Sequence, residues 1–186
     1  MGQESNTDQQ YSQIVEICRD VFQKKMQDYG SAWRILRPSS LTDQIYIKAQ
    51  RIRSLQRKGT QKILEGITPE FIGIVNYAII GLIQLELGPS DVIDLDQTEA
   101  TRYYNDYFER ARRLMHDKNH DYGEAWRDMR VSSLVDIILM KLLRIKQIED
   151  NEGQAVHSEG IDANYFDIVN YAVFALIKLE LEGAEK

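Results

Sequence analysis

Asp28–Ile52, DYGSAWRILRPSSLTDQIYIKAQRI, and Asp121–Ile145, DYGEAWRDMRVSSLVDIILMKLLRI, decide the fold, because they are one passage written twice. At an offset of 93 the two agree at 15 of 25 positions. Downstream, Glu65–Leu87 (EGITPEFIGIVNYAIIGLIQLEL) and Glu159–Leu181 (EGIDANYFDIVNYAVFALIKLEL) agree at 13 of 23 positions at an offset of 94. The one-residue slip falls in the weakly matching stretch between the blocks, where a surface loop absorbs an insertion. Two long blocks at consistent offsets define a tandem duplication. The chain therefore divides into a flexible N-terminus (1–10), a first unit (11–87), a linker (88–98) and a second unit (99–182), the two units packing as one domain.

Each unit reads as three helices. Ile14, Val15, Cys18, Val21 and Phe22, and in the second copy Tyr107, Phe108, Ala111, Leu114 and Met115, recur at the three- and four-residue spacing of an amphipathic helix. The glycine of each Asp-Tyr-Gly then stops that helix, since glycine accepts the left-handed conformation at a helix end. Second helices are predicted to start after Ser40 and Ser133 as N-caps, and third helices at Thr68-Pro69 and at Asp162. No stretch alternates with a period of two, so strands are not expected. The predicted fold is all-α: a six-helix bundle of two three-helix repeats related by pseudo-two-fold symmetry.

Composition narrows the function classes. The 186 residues carry a formal charge of −6, which argues against direct DNA binding, a task that calls for a basic face. With one cysteine, Cys18, neither an internal disulfide nor a cysteine-based zinc site can form, which fits a cytoplasmic protein. MGQESNTDQQ has none of the features of a signal peptide. Uninterrupted apolar runs stay below the roughly 20 residues of a membrane span. P-loop, Rossmann and nucleophile-elbow patterns are absent, which disfavours the enzyme classes that use them. A homo-oligomer is compatible with all of this.

Chemistry is expected where polar groups interrupt oily helices. Leu134–Ile148 is apolar nearly all round, yet carries Asp136, Lys141 and Arg144, and Asp43, Lys48 and Arg51 repeat them in the first unit. At 100° per residue Arg144 lies about 80° and Lys141 about 140° from Asp136, a shared sector. On the last helix Asp167 and Asn170 share a face, with Asn76 repeating Asn170 but Gly73 standing where the second unit has Asp167. Buried charges must pair with one another, a metal or a ligand, so a polar cluster inside the bundle is predicted. Alternatives stay open for each group. Ser-x-x-Asp at Ser40–Asp43 and Ser133–Asp136 suits a capping box or a metal ligand. The Lys/Arg pairs suit an ion-pair lattice or phosphate binding. Asn76 and Asn170 suit a base edge or the core, and Trp33 and Trp126 a loop anchor or a stacking surface. His116 and His120 stand four apart, without the glutamate of a zinc-protease motif.

In order, Lys118-x-x-Asp121-Tyr-Gly-x-x-Trp126, Ser133-Leu-x-Asp136 with Lys141-x-x-Arg144, and Asp167-Ile-Val-Asn170-Tyr resemble the bacterial and phage family labelled nucleotide modification associated domain 1. The resemblance spans nearly everything from 11 to 181 and implies a role in nucleotide modification or pool control. The element order is more distantly similar to the all-α nucleoside triphosphate pyrophosphohydrolases of the MazG kind, which hold Mg²⁺ between acidic helices. That similarity implies Asp136, Asp167 and Asp121 as catalytic carboxylates, with Asp136 and Asp167 holding Mg²⁺. It also implies Lys118, Lys141, Arg144 and Asn170 on the substrate, with Tyr122 or Trp126 stacking on its base. Lys25, Lys48, Arg51 and Asn76 would repeat the binding set in the first unit. The family's Glu-x-x-Glu and Glu-x-x-Asp pairs are missing, so the alternative is a helical module that binds a nucleotide or a partner without cleaving it.

Overall fold

The computed structural model describes residues 6–58, 66–151 and 160–183. The first unit consists of α1 (Asn6–Tyr29), α2 (Pro38–Lys58) and α3 (Ile67–Leu87). The second consists of α4 (Gln97–Tyr122), α5 (Val131–Asp150) and α6 (Ile161–Leu176), the last prolonged by a wide turn over Ile177–Leu181. Short 3-10 turns at Ala32–Ile35 and Ala125–Asp128 follow α1 and α4. Among the described residues there is no strand. Gly30 and Gly123 end α1 and α4 with φ of 59° and 64°, the left-handed stop that the repeated Asp-Tyr-Gly predicts.

The helices lie in three layers of two. α3 and α6 pack on each other in the middle. On one side α2 covers α3, α5 covers α6, and α2 and α5 touch; on the other, α1 and α4 pair across both central helices. This explains the oiliest sequences. α3 and α6 are covered on both faces, so almost every position from Phe71 to Gln84 and from Asn164 to Ile177 is buried. α3 is long and apolar enough to cross a membrane by composition, but 72% of its most apolar window is buried in the protein. α5 is less enclosed than its composition predicts, since Met140 and Leu143 face outward.

The two units are related by a pseudo-two-fold that individual hydrogen bonds obey. Asn76 Nδ2 donates to the Cys18 carbonyl at 3.0 Å, and Asn170 Nδ2 to that of Ala111 at 2.9 Å, each tying a third helix to the first helix of its own unit. The tyrosines then cross over. Tyr104 donates to Asn76 Oδ1 at 2.7 Å and Tyr11 to Asn170 Oδ1 at 2.8 Å. Burial pushes both phenols well above the ordinary tyrosine range, so they persist as donors.

Three boundaries differ from expectation. α1 starts at Asn6, so residues 6–10 belong to a helix: Thr7 is buried and accepts a bond from Arg127 at 2.8 Å, and His116 pairs with Asp8 at 2.6 Å. α2 and α5 start at Pro38 and Val131, which puts Ser40 and Ser133 inside the first turn instead of at the cap. Proline at the first helical position, where no N–H bond is lost, fixes this start in the first unit. α3 and α6 begin at Ile67 and Ile161, just before the predicted signals.

Candidate functional site

α4, α5 and α6 of the second unit enclose a cleft of about 430 Å³. Met115 and Phe174 form its apolar lining, Tyr122 stands on its rim, and Lys118, Lys141 and Asp167 converge in it. Asp167 is only 7% exposed, because α6 is a middle-layer helix, yet its carboxylate is fully engaged. Oδ2 receives Lys141 Nζ from α5 at 2.9 Å, and Oδ1 receives Lys118 Nζ from α4. A carboxylate taken from water needs such donors. Among the described residues two ammonium groups stand against one carboxylate here, and Lys118, half exposed, lies toward the solvent.

The first unit builds the same cleft differently. Its smaller cavity, about 170 Å³, is lined by Phe22, Lys25, Met26, Trp33, Tyr77 and Ile80, among others. By the repeat offsets these correspond to Met115, Lys118, Asn119, Trp126, Tyr171 and Phe174. Gly73 replaces Asp167. Lys48, the counterpart of Lys141, leans over it: a Cβ built on Gly73 would lie 2.8 Å from Lys48 Cε. Lys48 Nζ reaches Glu70 at 3.5 Å, and Arg51 reaches the same carboxylate at 3.1 Å. Glu70 is 8% exposed and corresponds to Asn164, which donates to the Gly160 carbonyl at 2.8 Å. The buried acid of the third helix has thus moved back by one helical turn. The sequence contrasts Gly73 with Asp167, and the neighbouring contrast of Glu70 with Asn164 is the signal that marks the displaced acid.

Asp136 does not join Asp167. It is largely exposed and lies 3.8 Å from Arg53 of α2, while Asp43 pairs with Lys146 of α5 at 2.9 Å. These are symmetry-related bridges across the α2–α5 contact. With α2 and α5 starting at Pro38 and Val131, Asp43 and Asp136 stand too far into their helices for a capping box, and these bridges hold them away from Asp167. The reason is angular: α5 sits between α2 and α6, so side chains about 140° apart serve different neighbours. Arg144, also placed in that sector, bonds Gln147 at 3.4 Å and does not line the cleft. Arg51 serves Glu70. Asp121 is exposed beside His120 at 3.3 Å, outside the cleft.

The remaining candidates divide between scaffold and site. Asn76 and Asn170 hold the core hydrogen bonds described above, and each also borders the cleft of its own unit. Trp126 is covered on both faces, by Phe174 with ring centres 4.3 Å apart and by the Arg127 guanidinium at 4.4 Å. It is a wall of the cleft and cannot stack on a base. Its indole N–H is buried with no hydrogen-bond partner, whereas that of Trp33 donates to Met26 Sδ at 3.4 Å. The arginine after each tryptophan ties its loop down. Arg34 bonds Asp94 of the linker at 2.9 Å, and this guanidinium holds the exposed Asp94 carboxyl below its ordinary range. Arg127 bonds Glu124 at 2.7 Å and Gln10 of α1 at 2.9 Å. His157 and most of the basic loop 57–62 lie outside the described residues.

A divalent cation finds no ready set of ligands here. Among the described residues no three His, Cys, Asp or Glu side chains gather at one point. Asp167, the one carboxylate of the cleft among the described residues, already holds two ammonium groups, which would repel a cation. The donor set suits an anion and does not fit Mg²⁺ held by protein carboxylates.

No curated protein and no solved structure matches this chain. The family model for nucleotide modification associated domain 1 matches it twice, over residues 25–85 and 118–179. Each match contains most of the lining of one cleft, with its tryptophan and its core asparagine, while Phe22 and Met115 lie just before the matched segments. The chain belongs to the nucleotide modification associated domain 1 family, of which it carries two copies in tandem.

Proposed function

We propose that the protein binds a nucleotide in the second-unit cleft, with its phosphate group against Lys118 and Lys141. The observation that carries this is the pair of ammonium groups fixed by Asp167 at one end of a cleft otherwise walled by Met115, Tyr171 and Phe174. A positive cluster beside an apolar, aromatic space matches the two halves of a nucleotide. The volume of about 430 Å³ lies within the usual range of ligand pockets. Two further observations support a ligand there. Tyr122, 79% exposed on the rim, presents a free ring face. The unpartnered Trp126 N–H offers a buried donor that a ligand oxygen would satisfy.

Binding is favoured over Mg²⁺-dependent pyrophosphohydrolysis because the carboxylates needed for that chemistry, Asp121 and Asp136, stand outside the cleft. The test is a melting scan of the full chain with a panel of ribo- and deoxynucleotides, with and without Mg²⁺, followed by product analysis. Nucleotides should raise Tm in a concentration-dependent way without turnover, by the linkage of binding to folding. Lys118→Ala and Lys141→Ala should each weaken binding about tenfold, the size of one charge-assisted hydrogen bond. Steady Mg²⁺-dependent release of pyrophosphate would overturn the preference for binding alone. No shift with any nucleotide would overturn the site.

A further inference from the structure

The first-unit cleft differs from the second by the loss of one carboxylate, and that loss defines a shape. In the second unit Asp167 sits between Lys118 and Lys141. In the first unit both lysines persist, as Lys25 and Lys48, but Gly73 has no side chain to place between them. Lys48 leans over the vacated space and reaches Glu70 only at 3.5 Å. Lys25, on the lining of the cleft, has no carboxylate within ion-pair distance among the described residues. Beside this position lies a cavity of about 170 Å³ walled by Phe22, Met26, Trp33, Tyr77 and Ile80. A cavity of roughly 150 Å³ holds one benzene ring, so this half-open space takes a single ring, and the rest of a whole nucleotide would project out of it.

From this we infer that the first unit is a separate binding site for a small aromatic anion: one ring in the apolar cavity, and one carboxylate or phosphate between Lys25 and Lys48. The ligand's anionic group takes the place that the Asp167 carboxylate occupies in the other unit. Lys48 can turn to meet it, because what crowds Gly73 is the far end of a flexible side chain. The surrounding Glu70 and Arg51 oppose each other in charge and leave the two lysines in excess. The site does not depend on nucleotide binding in the second unit.

The experiment is calorimetric titration of the full chain with benzoate, phenyl phosphate and neutral benzyl alcohol. At least one of the anions should bind tighter than about 1 mM at a site that depends on Lys25, counted apart from any binding in the second cleft. The better of the two identifies the favoured headgroup, and benzyl alcohol should bind at least tenfold more weakly than either. Lys25→Ala should weaken anion binding at least tenfold, while Lys24→Ala, at a surface lysine paired with Asp20 outside the cleft, leaves it unchanged. Gly73→Asp supplies the missing carboxylate internally, so it should abolish anion binding and raise Tm. Gly73→Asn, of the same size but uncharged, should not raise Tm. If Gly73→Asp fails to fold, Lys25→Ala carries the test, with its circular dichroism matching that of the parent. The inference is overturned by the absence of saturable binding, by equal affinity for benzyl alcohol, or by unchanged anion affinity in Lys25→Ala or in folded Gly73→Asp.

Discussion

Asp167→Ala removes the one carboxylate that two lysines of the second cleft share, and its cost can be worked from the surroundings. Losing one partner of a fully buried pair costs about 3–5 kcal/mol, while a surface pair contributes about 0–1 kcal/mol. The present case falls between. Asp167 and Lys141 have side chains only 10% and 22% exposed, so the orphaned Lys141 charge accounts for most of the loss. Lys118, half exposed, can turn to solvent and adds little. The expected destabilisation is about 2–3 kcal/mol, or roughly 4–12 °C in Tm at 2–4 °C per kcal/mol for a domain of this size. Glu70→Ala is the internal control. Its partners are a loosely held Lys48 and a mostly exposed Arg51, so the loss should be nearer 1 kcal/mol. Thermal and urea unfolding by circular dichroism would measure both, the urea midpoint falling at constant slope. Adding Lys141→Ala to Asp167→Ala should restore part of the loss, since the orphaned charge goes with it. If Asp167→Ala is as stable as the parent, or Glu70→Ala is the more damaging, the cluster is not the buried ion pair described here.

Two further predictions test the scaffold. Tyr11→Phe and Tyr104→Phe remove symmetry-related hydrogen bonds to buried asparagines, so each should cost about 1–2 kcal/mol, and the two should be alike; a several-fold difference in urea unfolding would contradict the pseudo-two-fold reading. Among the ten tyrosines, burial raises Tyr11, Tyr104 and Tyr165, and burial together with the Glu86 carboxylate raises Tyr107 to about 12. Their protonated forms are favoured in the fold, so this stability is complete below the unfolded value near pH 10 and falls as pH rises through about 12. Spectrophotometric titration near pH 11 should leave at least four phenols un-ionised while the protein is folded; free titration of all ten near pH 10 would refute the burial.

The duplication, the six helices and the glycine stops were legible because each rests on local pattern: a period of 3.6, a left-handed glycine, a block repeated at fixed offset. The pairing of Asp167 with Lys141 was half legible. The need for a buried charge to find a partner was sound, but which side of α5 faces which neighbour depends on packing order. That order placed Asp136 against Arg53 and left the expected Mg²⁺ pair on opposite sides of the helix. The asparagines were ambiguous for a related reason. Their chemistry suits a base edge as well as a carbonyl, and only the arrival of Tyr11 and Tyr104 from the opposite unit resolves it. Such crossed contacts leave no trace in the periodicity of a single helix.

A tandem repeat nevertheless offers its own internal comparison, because two copies in one fold share the same packing demands. Much of what is alike in both units is scaffold: the asparagine pair, the tryptophan–arginine loop anchors, the helix-ending glycines. The cleft lysines are also alike, but a few differences fall in the clefts. The acid moves from Asp167 to Glu70, Asn119 faces Met26, and Phe174 faces Ile80. Drift at tolerant positions accounts for many of the differences between the units. It would not be expected to delete a buried acid in one unit and restore one a single turn away, since each step alone leaves Lys48 or Lys141 without its partner. The transposition keeps the fold neutralised while changing what remains inside the cleft: a charged hollow in the second unit, an apolar one bordered by Lys25 in the first. That exchange of acids is what two copies of one scaffold would show if they hold two different ligands.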